Sequence, residues 1–418
     1  MRQERPDRLP NAFWRHFAAS ATSNLGDGMI AAAAPLLALS LTDDPRLISA
    51  VAFASMLPWL VLSLPAGVYI DRWNRRSILI VSNSIRAGLF LLIAVLIVAD
   101  ALTIEILVAI VFVLAVGEVF FDMTAQAFLP SIVASSLLER ANGRLYAAEV
   151  AANSFIGLPV GAWLFVVTAA APFGVQSAAL AIAAALLGTI RVDTIPSGRS
   201  SPNFGNPFRD IQDGARWLWR QPLLRMLALM LGAANMCHMF AQSVYAKFVR
   251  DELGLGPRGF GLLLATSAVG SIGGGVIGAR VARRLGATTA IAVAYVMFAA
   301  LEFVPWAFPN VAAVITAGVL MAVFGTIWNV LTVSLRQRLI PSELFGRVNS
   351  MYRFLGTGTS AIGAIIGGQI AYHFGLRATY LASGVTLSII LIVGAPRLIR
   401  YSQTYIAPDR TPAPPSIT

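Results

Sequence analysis

The stretch AGVYIDRWNRRSILI, Ala66 to Ile80, sets one acid and three arginines between two long apolar runs. The pattern returns half a chain later. Gly67-V-Y-I-Asp71-Arg72-W-N-Arg75-Arg76 is matched 208 residues on by Gly275-V-I-G-Ala279-Arg280-V-A-Arg283-Arg284, where the glycine and all three arginines coincide. A second pair lies 207 residues apart: ERANGRLYAA from Glu139 parallels GRVNSMYRFL from Gly346, so Arg140 meets Arg347 and Asn142 meets Asn349. Gly117 and Gly325, and Gly161 and Gly368, fall at the same separations. One such match between arginine-rich loops is easily accidental; a series in register reads as a duplicated unit.

The sequence around these loops sets the class. The chain has 418 residues, 57% hydrophobic and 12% charged, with mean hydropathy +0.73. Soluble domains carry about 25% charged residues, and many apolar runs here reach the ~20 residues that cross a bilayer as a helix. We read twelve spans, near 15–40, 47–70, 77–99, 103–129, 145–168, 174–191, 223–248, 259–279, 287–306, 311–335, 348–372 and 376–396. The expected fold is an all-α membrane protein of two pseudo-symmetric six-helix bundles. Its parts are an N-terminal segment 1–14, a first bundle 15–191, a central loop 192–222, a second bundle 223–396 and a disordered, proline-rich tail 397–418. Within the central loop, NPFRDIQDGARWLWRQP spaces Phe208, Ile211, Ala215 and Leu218 as the apolar face of an amphipathic helix on the inner membrane surface, with a plain linker as the alternative.

Of 31 Lys and Arg residues, 25 fall in the loops and tails on one side, Arg46, Lys247, Arg250, Arg258 and Arg377 on the other, and Arg86 within a span. This bias puts both termini in the cytoplasm. It also accounts for the net charge of +11 through anionic headgroups, so nucleic acid is not an expected partner. The single cysteine, Cys237, allows neither a disulfide framework nor a thiolate metal site. The start of the chain does not read as a cleavable signal.

G-x-x-x-D-R-x-x-R-R between the second and third spans resembles the signature loop of the major facilitator superfamily, and the span count, termini and long central loop resemble that superfamily over nearly the whole chain. SNLGDGM (from Ser23), WLWRQPLLRML (from Trp217) and FGLRATYLASG (from Phe374) resemble its drug and siderophore exporter branch, which includes macrolide efflux proteins. GLPVGAWL, with Gly157, Pro159 and Gly161, is similar to the superfamily's antiporter signature, more loosely spaced than G-P-x-x-G-G. The resemblance implies that Asp71 meets the start of the eleventh span and holds the cytoplasmic side closed when the site faces outward. A carboxylate is favoured at a helix N-terminus, and Gly67 permits close helix approach. Arg72, Arg75 and Arg76 as mere orientation signals would leave the glycine and the aspartate unexplained.

Charged groups at bilayer depth cost roughly 2.5 kcal/mol or more and are candidates for function. Asp27, mid-span in the first helix, is the first candidate for proton coupling, because low-dielectric surroundings let a carboxyl take up and release a proton. Its counterpart in the second half is Asn235. Glu118 and Asp122 lie one turn apart on the fourth span. Arg86 on the third lies at similar depth, which predicts an Arg86–Asp122 or Arg86–Glu118 pair. Asn24, Asn235, His238 and Gln242 are candidates for lining a substrate cavity, whereas Glu302 falls near the outer end of the ninth span, within reach of water.

No G-K-[ST] loop, H-E-x-x-H or G-x-S-x-G is present, so an enzyme is not expected. The expected function is proton-coupled efflux of amphipathic small molecules by alternating access. The working unit is a monomer in the bacterial inner membrane, using the proton gradient and no cofactor or metal. The alternatives are an importer of a small metabolite and a non-transporting scaffold or receptor.

Overall fold

The computed structural model describes residues 8–190 and 207–406. Among them the regular structure is helical: α1 (Asn11–Leu41), α2 (Pro45–Arg72), α3 (Arg75–Val98), α4 (Ile104–Ile132), α5 (Leu138–Val150), α6 (Leu158–Val167), α7 (Ala171–Gly188), α8 (Pro207–Arg220), α9 (Pro222–Gln242), α10 (Tyr245–Asp251), α11 (Pro257–Leu285), α12 (Ala287–Ala307), α13 (Val311–Leu339), α14 (Ser342–Phe374) and α15 (Leu376–Ile406). A π-helical stretch, Ala151–Gly157, joins α5 to α6. Twelve segments are long and apolar enough to cross a membrane, with α5–α6 counting as one and α9–α10 as another.

The duplication is visible in the packing. In the first half α1 and α3 pack on α7, and α4 packs on α2 and α3; in the second, α9 and α12 pack on α15, and α13 packs on α11 and α12. Between the halves α2 packs on α14 and α6 on α11, contacts that exchange when the halves are exchanged, as a twofold relation requires. Helices α4 and α13 are both 29 residues long, and both begin at a side-chain cap: Thr103 accepts from the Ile106 amide and Asn310 from the Ala313 amide. Such caps satisfy amides that have no partner within the helix.

Several boundaries differ from the sequence reading. The first span begins at Asn11, inside the expected N-terminal segment. The central loop holds α8, which seats Leu218 in a cluster with Leu224, Ile340 and Val348 of the second half. Residues 191–206 of that loop lie outside the described residues, as do the side chains of Phe208 and Ile211. Helix α15 continues to Ile406, through the first part of the expected disordered tail. The seventh span is broken between Gln242 and Tyr245.

The two ends of the bundle are unlike. At the end away from the termini one apolar cluster crosses the halves, joining Leu36, Phe90 and Phe173 to Phe248, Phe260 and Tyr380. The other clusters among the described residues stay within one half or the other. The same far end carries polar latches between the halves. Asp43, between α1 and α2, lies 2.6 Å from Arg250 and 3.6 Å from Lys247 of α10. The Arg46 guanidinium sits 3.7 Å from the Tyr372 ring centroid.

Hydrogen bonding and charge from Arg250, with Lys247 adding to them, hold the Asp43 carboxyl below the usual aspartate range. A lowered folded-state pKa makes the latch fully present above about pH 4 and lost as pH falls through the lower, latched value. The expected result follows with spin labels at Asp100 and Phe308, in loops at the far end of each half, and the native Cys237 replaced. Asp43→Asn should add a longer-distance population, while lowering the pH from about 7.5 to about 5 in the unsubstituted chain should not, because both values lie above the carboxyl's ordinary range.

Candidate functional site

Two polar centres lie inside the bundle, one in each half. In the first, Asp27 of α1 accepts at Oδ1 from Arg86 Nη2 at 2.9 Å and from Gln176 Nε2 of α7 at 2.8 Å, and at Oδ2 from the Ser23 hydroxyl at 3.3 Å. Arg86 is 3% exposed and the Asp27 side chain 28%. Glu118 and Asp122 lie within electrostatic range of the same guanidinium. The hydrogen-bonded partner of Arg86 is therefore Asp27, not the acid of similar depth on α4. Depth along a helix fixes height in the membrane but not which neighbour is faced.

Glycines make room for this centre. A methyl group at Gly26 would overlap the Gln176 amide, and one at Gly117 would come within 3.0 Å of Arg86 Cγ. Sequence reasoning does not single out Gln176. The available signal is a lone amide in an otherwise apolar span, and Gln176 is fully buried.

The antiporter-like residues position α1. Gly157 and Gly161 press against α1 backbone at Gly28 and Met29, with Pro159 between them in the first turn of α6. Gly28 in turn faces the Asn153 carbonyl of the π-helical stretch. The wider π turn belongs to the surface that meets the residues flanking Asp27, a common place for such turns.

The charged loop between α2 and α3 is divided. Gly67, the side chains of Asp71 and Arg72, and most of the side chains at the start of α14 lie outside the described residues. Arg75 donates to the Ala127 carbonyl of α4 at 2.9 Å, and Arg76 to the carbonyls of Leu187 and Gly188 at the end of α7. Cations are favoured at helix C-termini, so these two arginines tie α3 to α4 and α7 within one half. Asn74 caps α3 by accepting from the Ser77 amide.

The second centre is a cavity of about 430 Å³ within the second half, lined by α9, α10, α11, α12, α13 and α15. Asn235, His238 and Gln242 all line it. Asn235 also donates to the Gly356 carbonyl of α14 at 3.0 Å. Asn24 does not join them: its amide turns back on the Ser20 carbonyl of its own helix. Glu302, expected to reach water, instead lines the cavity at 3% exposure, with His238 Nδ1 3.8 Å from Oε1. Residues of α9, α10 and α15 line the same cavity, which counting from the end of its own helix cannot show. Tyr245, Phe298 and Tyr380 supply aromatic wall.

The comparisons agree with this fold. The multidrug efflux pump Tap of Mycolicibacterium fortuitum is 26% identical over 396 residues, covering 91% of this chain and 94% of that protein. The fold is similar to that of the nucleoside transporter NupG, with TM-score 0.74 and 11% identity over 93% of this chain and 99% of that one. It is also similar to a bacterial homologue of the iron transporter ferroportin in an inward-facing state, with TM-score 0.69 and 16% identity over 93% of this chain and all of that one. The family described as transmembrane secretion effector matches residues 9–416. A duplicated twelve-span bundle with a polar centre in each half thus has a family to go with it: the chain belongs to the transmembrane secretion effectors, membrane transporters of the major facilitator superfamily.

Proposed function

We propose that this transporter exports amphipathic small molecules in exchange for protons by alternating access. It sits in the cytoplasmic membrane with both termini inside, acts as a monomer and needs no cofactor. The observation that carries the reading is the Asp27–Arg86–Gln176 centre. A partly exposed carboxylate bonded to a buried guanidinium can exchange a proton for its ion pair, and a protein that only scaffolds has no use for one. The apolar cluster and latches at the far end suit a state closed outside and open inside. The relative from M. fortuitum is described as a multidrug efflux pump, which favours export over import.

The test is transport in proteoliposomes under an imposed pH gradient with a panel of dyes and antibiotics. Each proton exchanged across one pH unit supports about tenfold accumulation, since a pH unit is worth about 1.4 kcal/mol. A protonophore should abolish that accumulation. Transport unaffected by collapse of the gradient would rule out proton coupling, and gradient-driven movement in the proton's own direction would make the protein an importer.

A further inference from the structure

The two halves are built alike but treat charge differently. Gly117 and Gly325 occupy equivalent places on α4 and α13. Gly117 receives the Arg86 side chain, whereas Gly325 faces the Phe298 ring. Asp27 of α1 corresponds to Asn235 of α9. The first half therefore holds an acid and its own internal cation. The second holds a ring where that cation stands, and its buried acid, Glu302, comes from another helix.

Among the described residues Glu302 accepts no hydrogen bond, and its nearest basic group, His238 Nδ1, is beyond hydrogen-bond distance at 3.8 Å. The other titratable groups lining the cavity are Tyr245 of α10 and Tyr380 of α15, while α11 and α13 present none there. A buried carboxylate without a counter-charge is costly. The space beside it is of a size that holds drug-like molecules, and its aromatic wall attracts cations through ring faces.

We infer that Glu302 is the recognition carboxylate of an organic-cation site inside the second half, and that the cargo supplies the positive charge which Arg86 supplies in the first. This deepens the exporter reading by naming a substrate class, lipophilic monocations, and the residue that selects them. It rests on the protein being a transporter of small molecules, but equilibrium binding at the site needs no gradient.

The experiment is binding of tetraphenylphosphonium and of its uncharged counterpart, triphenylphosphine oxide, to the purified full chain in nanodiscs. Glu302→Gln should weaken tetraphenylphosphonium binding tenfold or more and leave triphenylphosphine oxide within twofold, which also shows that the cavity remains intact. Glu302→Asp should fall between. Glu105→Gln, an exposed acid at the start of α4, should leave both probes unchanged. Unchanged cation binding in Glu302→Gln would overturn the inference. So would equal loss of both probes. A protein that binds the cation through Glu302 yet transports independently of the pH gradient would refute proton coupling and leave this site standing.

Discussion

Asp27→Asn should abolish pH-driven transport and lower stability by about 3 kcal/mol, because it strips the charged partner from a buried guanidinium. Arg86 is 3% exposed and cannot reach water to recover the loss. Arg86→Met should cost less, about 1–2 kcal/mol, because the carboxylate it leaves behind is partly exposed and keeps its bonds from Gln176 and Ser23. The double variant, Asp27→Asn with Arg86→Met, removes both charges of the pair, and only Glu118 and Asp122 then lose a cation within their range. Its stability should return most of the way, as it does when a buried pair is replaced by neutral groups of similar size. Transport should not return.

This pattern separates two roles that a single substitution confounds. If the pair only held helices together, recovery of stability would bring recovery of transport. If it carries the proton, the double variant is stable and inert. Thermal unfolding in nanodiscs and gradient-driven dye transport on the same preparations check both halves of the expectation. A stable double variant that transports at the wild-type rate would remove Asp27 from the coupling mechanism.

The fold was legible because it follows from quantities a sequence carries directly: the length of apolar runs, the side on which arginines fall, and a repeat of 207–208 residues that the paired caps Thr103 and Asn310 now mark in space. The site was legible in part. Asp27, Arg86, His238 and Gln242 stand out as polar groups at membrane depth, and the structure places all four at one centre or the other. Which of them meet depends on how helices far apart in the chain rotate against each other. Arg86 accordingly faces Asp27, 59 residues away, and Gln176 reaches the same carboxylate from 149 residues away. Glu302 sits five residues before the end of α12, where water is expected, yet it is 3% exposed and lines a cavity together with residues of α9, α10 and α15. The break that creates α10 has neither glycine nor proline to announce it. The π stretch ends at Gly157 of the antiporter-like motif, but nothing in that motif says that the turn widens, and the extra width is taken up against α1.

That contact with α1 sets the second large expectation, Gly161→Ala. A methyl group at Gly161 would press on the Met29 carbonyl, and one at Gly157 would come within 2.7 Å of the Leu25 carbonyl. Both obstacles are backbone, so no rotamer change relieves them; α1 and α6 must move apart. Overpacking of this kind costs about 1–3 kcal/mol. The residues displaced flank Asp27, so separation of the two helices also pulls the carboxylate away from Arg86 and Gln176. Gly174→Ala is the matched control, because that position lies inside α7 with nothing within 4 Å of the added methyl. There alanine should stabilise by up to about 1 kcal/mol through helix propensity alone. The two substitutions add the same atoms to glycines in membrane helices and should shift thermal unfolding in opposite directions. Gly161→Ala should also lose transport, while Gly174→Ala keeps it. Opposite shifts without a difference in transport would mean that α1 tolerates displacement, and that the position of Asp27 relative to Arg86 does not limit the transport cycle.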